Sequence, residues 1–196
     1  MVLLCIGLVI FLGAHSLRLV ADGWRQAQIA RLGVPAWRAL FSVASLAGLA
    51  LIVVGFGEAR ADPVVLYAPP VALRHLNMLL TLLALILVAA GYVPRNHLKQ
   101  WVGHPILAGV KTWAFGHLLA TGTLGDVVLF GAFFVWAVAD FAGSRRRDRA
   151  EGTAYPAGGV AGDLLAVAIG AAVWAAIAFR LHALVIGVDP LAGMGQ

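Results

Sequence analysis

Charge is scarce in this chain. Asp, Glu, Lys and Arg together make up 12% of the residues, about half their share in a soluble domain, while the mean hydropathy is +0.93. A soluble globular fold is excluded on those grounds, because too few polar side chains exist to cover one. Cysteine is scarcer still. Cys5 stands alone, so no disulfide can form within the chain, and packing is its expected role. The alternation of apolar and polar residues that marks a transmembrane barrel is missing too. So are the CxxCH haem-attachment motif, histidines four residues apart on one helix, and a glycine-rich nucleotide loop after a strand. There is no internal repeat and no inverted pair of broken helices. The opening MVLLCIGLVIFLGAHS lacks a basic leader and a small-x-small cleavage site, so the first apolar stretch is expected to be retained.

What the chain does have is continuous apolar sequence. Six runs reach the length that crosses a bilayer as helix, at roughly 2–20, 36–57, 71–92, 104–121, 125–141 and 162–186. The expected fold is all-α: an integral membrane helical bundle of about six transmembrane helices, one domain over 1–186 with a short tail at 187–196. Lys and Arg follow a clear alternation. Arg18, Arg25, Arg31, Arg38, Arg95, Lys99, Arg145, Arg146, Arg147 and Arg149 fall in one set of connections, against Arg60 and Arg74 in the other. Positive charge stays on the cytoplasmic side, so both termini are expected on the non-cytoplasmic side. The net charge of +5 is this loop bias, and no nucleic-acid partner is expected; the bilayer is the partner.

Between spans, 21–35 (ADGWRQAQIARLGVP) reads as an interfacial element with Trp24 and Ile29 at the headgroups. The proline-rich 58–70 is expected to lie across the outer rim, and 142–161 to be mobile. Ala44 with Gly48, and Ala166 with Gly170, have the four-residue spacing that lets helices approach closely. Trp24, Trp37 and Trp101 flank spans as belt anchors, whereas Trp113, Trp136 and Trp174 fall inside spans, to flank a cofactor or fill the core.

An ionisable group inside a span marks a candidate site. His15, Lys111, His117 and Arg180 qualify, with His104 at a span entrance; Arg180 is close enough to a helix end to snorkel. His75, His182 and His97 lie where headgroups can solvate them. On a helix, His104 and Lys111 are seven apart and share a face, while His117, thirteen beyond His104, is turned by about 220° and displaced by about 20 Å. These two histidines cannot share a metal ion on one straight helix. Two readings stay open: a buried histidine can bond a neighbouring helix, or His117 and His15 can ligate one haem iron from facing helices. Arg18, one turn after His15, would then meet a haem propionate.

GAHSLR at 13–18, GLALIVVGFGEAR at 48–60, LYAPPVALRHLN at 66–77 and HPILAGVKTWAFGHLLATGTLGDVVLFGAFFVWAV at 104–138, in this order, resemble the NnrU family of membrane proteins. The resemblance implies a bacterial inner-membrane protein, but several functions. NnrU is named for a link to nitrite and nitric oxide reduction in denitrifying bacteria. A related branch, the plastid zeta-carotene isomerase, is a haem b enzyme that isomerises a cis double bond when its iron is reduced, and another relative methylates methanethiol. Carried over from the isomerase branch, the axial ligands would be His15 and His117. That branch has a cysteine three residues before its second histidine, where this chain has Ala114. The resemblance therefore implies a haem-dependent cis-trans isomerase acting on a lipophilic small-molecule substrate from the bilayer, with His104 and Lys111 packing helices or holding a propionate. The alternatives are an accessory protein for a membrane reductase of nitrogen oxides, and a thiol S-methyltransferase.

Overall fold

The computed structural model describes residues 1–192. Its helices are α1 (Val2–Val20), α2 (Asp22–Leu32), α3 (Val34–Ala61), α4 (Val71–Tyr92), α5 (His97–Val102), α6 (Pro105–Ala120), α7 (Leu124–Glu151) and α8 (Val160–Ala176), the last continuing as π-helix over Ile177–Ile186. Among the described residues the only extended pairing is an isolated bridge between Val65 and Thr123. Five helices are long and apolar enough to cross a membrane: α1, α3, α4, α7, and α8 with its π-helical extension. The expected span at 104–121 is a helix of 16 residues, about 24 Å long at 1.5 Å per residue.

Neighbouring helices succeed one another in the order α3, α1, α7, α6, α4, α8. Close approach is made possible by missing side chains. A Cβ on Gly55 would stand 2.2 Å from the Leu4 backbone nitrogen, and one on Gly48 2.8 Å from that of Phe11, so α1 and α3 touch backbone to backbone. Gly170 does the same for α8 against Ile86 of α4, and Ala166 is fully buried. The small-residue spacings thus mark real contacts, as expected where no hydrophobic drive exists between helices in lipid. The main core cluster, Leu4, Leu8, Ile52, Leu129 and Phe130, joins α1, α3 and α7.

Helix ends are set by local chemistry. Thr123 and Asp126 form a reciprocal capping box at the start of α7. Asn96 is 1% exposed and accepts from Lys99 N–H while donating to the carbonyls of Ala90 and Val93, which fixes the turn from α4 into α5. Two expected boundaries are corrected. The segment 142–161 is not a mobile connection up to its end: α7 runs to Glu151, because its Arg, Ala and Glu residues favour helix and left-handed Gly152 ends it. Likewise α3 continues to Ala61, and only from Asp62 does the proline-containing chain run extended, its Leu66 N–H bonded to Gly122 O. Cys5 is exposed on α1 rather than packed. The segment 21–35, expected to be interfacial, forms α2, a helix with no buried residue. Of the expected tail 187–196, residues 193–196 lie outside the described residues.

Candidate functional site

The basic end of the bundle gathers the C-termini of α1, α4 and α7 and the N-termini of α3, α6 and α8. Near it, His15 projects from the last third of α1. Its Nδ1 lies 2.7 Å from the Phe11 carbonyl one turn back; with Nδ1–H donating there, Nε2 is left with its lone pair. Aromatic rings surround it: Phe11 stacked at 4.3 Å between centroids, Phe41 at 5.0 Å, and Trp136 perpendicular at 6.0 Å. The Trp136 Nε1 is buried without a hydrogen-bond partner.

His15 also lines a pocket of about 260 Å³ with Arg18, Arg25, Trp37 and Phe41. The three helices supplying these walls are α1, α2 and α3. Arg25 is held by Asp22 at 3.1 Å, while Arg18 is exposed at the mouth and has no ionic partner among the described residues. The pocket is thus lined by one imidazole, two guanidinium groups, an indole and a phenyl ring. His15 and Arg18 are brought together as expected. Arg25 and Phe41 were not legible as site residues, and Trp37, which reads from sequence as a belt anchor, forms a wall. The one available signal was that Trp37 and Phe41 are four apart and share a helix face.

His117 lies elsewhere. On α6, its Nδ1 is 2.9 Å from the Trp113 carbonyl, again leaving Nε2, and its ring stacks on Phe130 at 4.5 Å with Trp113 at 5.2 Å. The same bond to the preceding turn occurs at exposed His75, so it reflects helix geometry and does not by itself mark a ligand. The backbones of α1 and α6 do not touch; α7 packs against both.

The remaining pair, His104 and Lys111, does share a locality. His104 caps α6 and its Nε2 lies 2.9 Å from Asp148 Oδ2 on α7. Tyr155, in the α7–α8 connection, donates to the same oxygen at 2.7 Å, and Arg145 approaches it at 3.5 Å. Burial and the neighbouring carboxylate push the Tyr155 phenol up to about 12, so it stays a donor. Lys111 snorkels to the same end, its Nζ over the Phe141 ring at 4.6 Å, and Phe141 meets His104 edge-on. Neither residue lines the His15 pocket.

The other three histidines and Arg180 are peripheral. His97 begins α5 and is clamped by Asp163, 2.6 Å from Nδ1, rather than left to headgroups. His75 is exposed, His182 Nδ1 bonds Val188 O, and Arg180 is exposed on the π-helical turn. A bare structural metal needs three or four ligands, and among the described residues no three His, Cys, Asp or Glu converge as such a group. Haem iron needs only one or two protein ligands, and the residues lining the His15 pocket include an imidazole, two aromatic rings and two cations.

A family model described as "NnrU protein" matches residues 3–190. Among curated proteins and among solved structures, none matches.

Proposed function

The chain belongs to the NnrU family, and from that premise we propose that it is a haem b-binding membrane protein acting as a cis-trans isomerase on a lipophilic substrate from the bilayer. One observation carries this reading: His15, Arg18, Arg25, Trp37 and Phe41, an imidazole, two cations and two aromatic rings, line one pocket. In the bilayer α6, a helix of 16 residues, is the sixth crossing. The arginine-rich end faces the cytoplasm and both termini face away from it, in a bacterial inner membrane.

His15 would hold the iron through Nε2, with its ring oriented by the Phe11 carbonyl, which takes Nδ1–H. Arg18 and Arg25 would meet the propionates, with Asp22 holding Arg25 in place. Trp37 and Phe41 would shield the group from water. When bound and reduced, haem b supplies an electron-rich iron that lowers the double-bond character of a polyene and so its barrier to rotation. His104 and Lys111 take no part in holding the group; they tie α6 to α7.

Absorbance spectra of the protein purified from haem-supplemented cells, oxidised and reduced, test the cofactor. A Soret band in the wild type that His15→Ala abolishes is expected, and a colourless wild type overturns the reading. For the reaction, reduced protein is expected to convert a cis polyene to its trans isomer. A chromosomal deletion that impairs nitric oxide consumption while leaving carotenoids unchanged would instead favour the accessory role.

A further inference from the structure

We propose that the groove between the end of α4 and the start of α8 is a site for an anionic phospholipid, with Arg95 holding the phosphate. It lies at the other end of the helix order from the His15 pocket and does not depend on the haem reading.

The groove measures about 340 Å³, with Val93, Pro94 and Arg95 on one side and Ala161, Gly162 and Leu165 on the other. Every lining side chain except that of Arg95 is apolar. The site is built on that residue's backbone. Arg95 has a φ of 51°, the only positive value at a non-glycine residue among the described residues, in a region that glycine enters freely and an L side chain does not. Its carbonyl accepts from the Gly159 N–H at 2.9 Å, and α8 starts so close that a Cβ on Gly162 would stand 2.3 Å from the same oxygen. Buried Asn96 fixes the next residue through the Ala90 and Val93 carbonyls. The backbone is thus held from both sides, while the guanidinium is exposed and has no hydrogen-bond or ionic partner among the described residues. The carboxylate next along α8 is committed elsewhere: Asp163 accepts from the His97 N–H at 2.7 Å and lies 2.6 Å from its Nδ1.

Depth decides where the phosphate comes from. Tyr92, one residue before the groove, is 77% exposed and Trp101 on α5 is 69% exposed; such residues sit at headgroup level in a bilayer. Along α8, Leu165 and Ile169 are exposed and four apart on one face, a track for an acyl chain. A guanidinium matches a phosphate with paired hydrogen bonds, and basic pockets between transmembrane helices on the cytoplasmic side take anionic headgroups. A soluble phosphate would leave the apolar walls in water.

Native mass spectrometry of the full chain in detergent, titrated separately with dioleoyl phosphatidylglycerol and dioleoyl phosphatidylcholine, tests the site. The first phosphatidylglycerol is expected to bind the wild type about fivefold more tightly than the first phosphatidylcholine, the factor one arginine supplies near an anionic lipid. Arg95→Gln is expected to erase that preference, and Arg95→Lys to keep most of it. Ala161→Phe fills the groove without changing charge and is expected to abolish the tight site for both lipids. Arg146→Gln removes an exposed arginine from α7 at the same end of the bundle and is expected to leave the preference unchanged. A wild type without preference, or a preference that survives Arg95→Gln, overturns the proposal. So does an equal loss in Arg146→Gln, which would assign the effect to diffuse charge, and so does displacement of the lipid by glycerol 1-phosphate, which would mark a site for soluble phosphates. Should Arg95→Gln fail to fold by circular dichroism, Ala161→Phe decides: unchanged binding of both lipids overturns the proposal.

Discussion

Asp148 Oδ2 on α7 accepts from His104 Nε2 at 2.9 Å, so one oxygen ties the residue that caps the short helix α6 to the last turns of α7. Tyr155 donates to the same atom at 2.7 Å, which draws in the connection to α8. Three chain segments therefore close on one carboxylate at the bundle's basic end.

Removing that acceptor is expected to matter more than removing any one donor. Asp148→Ala leaves the His104 and Tyr155 donors unpaired in a part-buried setting, at a cost of about 1–2 kcal/mol, on the order of 5 °C in the detergent melting temperature for a chain of this size. Tyr155→Phe is expected to lower it by less. The phenol's value of about 12 lies above its ordinary 10, so the clasp's contribution is intact below pH 10 and is lost as the pH rises through about 12. A tyrosinate absorbance titration of wild type against Tyr155→Phe checks this. Equal melting for Asp148→Ala and wild type would remove the clasp from the account.

Backbone contact between α1 and α3 gives a sharper contrast. A Cβ at Gly55 would stand 2.2 Å from the Leu4 nitrogen, whereas at Gly57 nothing lies within 4 Å. Gly55→Ala is therefore expected to push the helices apart, costing about 1–3 kcal/mol or more. Gly57→Ala, two residues along the same helix, is expected to be neutral or slightly stabilising, since Ala favours helix. Monodisperse yield in detergent and thermal melts of the two variants provide the comparison.

Arg18 and Arg25 line the pocket and, on the proposed function, would meet the haem carboxylates. Arg18 is exposed and Arg25 is shared with Asp22, so each pair is screened and worth little alone. Arg18→Gln or Arg25→Gln is expected to speed haem loss to apomyoglobin by about two- to fivefold, the double variant by more, with the position of the Soret band unchanged because neither residue touches the iron. Unchanged loss rates in the double variant would move the propionates elsewhere.

Much of this fold was legible because lipid imposes few solutions. Apolar run lengths give the spans, and Gly48 and Gly170 mark helix contacts by spacing alone. What the sequence does not reveal is depth and direction. His15 and His117 are chemically identical and both lie within spans, yet α7 comes between their helices, and helix order in space is a tertiary property that neither periodicity nor composition encodes. His104 and Asp148 are 44 residues apart; their pairing was hidden because 142–151, rich in Arg and small residues, reads as a connection until its helix is seen. Arg18 was findable because it lies one turn from His15 on the same helix, Arg25 and Phe41 were not because they arrive from α2 and α3.

Lys111 is the residue least welcome in an apolar helix, and its position explains how it is tolerated. Its ammonium group reaches back along α6 and sits 4.6 Å from the Phe141 ring centroid, a cation–π contact worth about 0.5–2 kcal/mol, with its methylene stem covering apolar surface. Lys111→Met keeps the stem and loses both the contact and the cost of a charge near hydrocarbon, put at about 2.5–3.5 kcal/mol mid-helix and less where the group snorkels. These oppose each other, so Lys111→Met is expected to melt within about 1 kcal/mol of wild type. Lys111→Glu reverses the sign over the ring's negative face and shortens the reach to the membrane surface. It is expected to cost more than about 2 kcal/mol and to insert poorly. Because Lys111 lies outside the His15 pocket, Lys111→Met is expected to bind haem with wild-type content and spectrum. Loss of haem from a stably folded Lys111→Met protein would assign this lysine to a propionate.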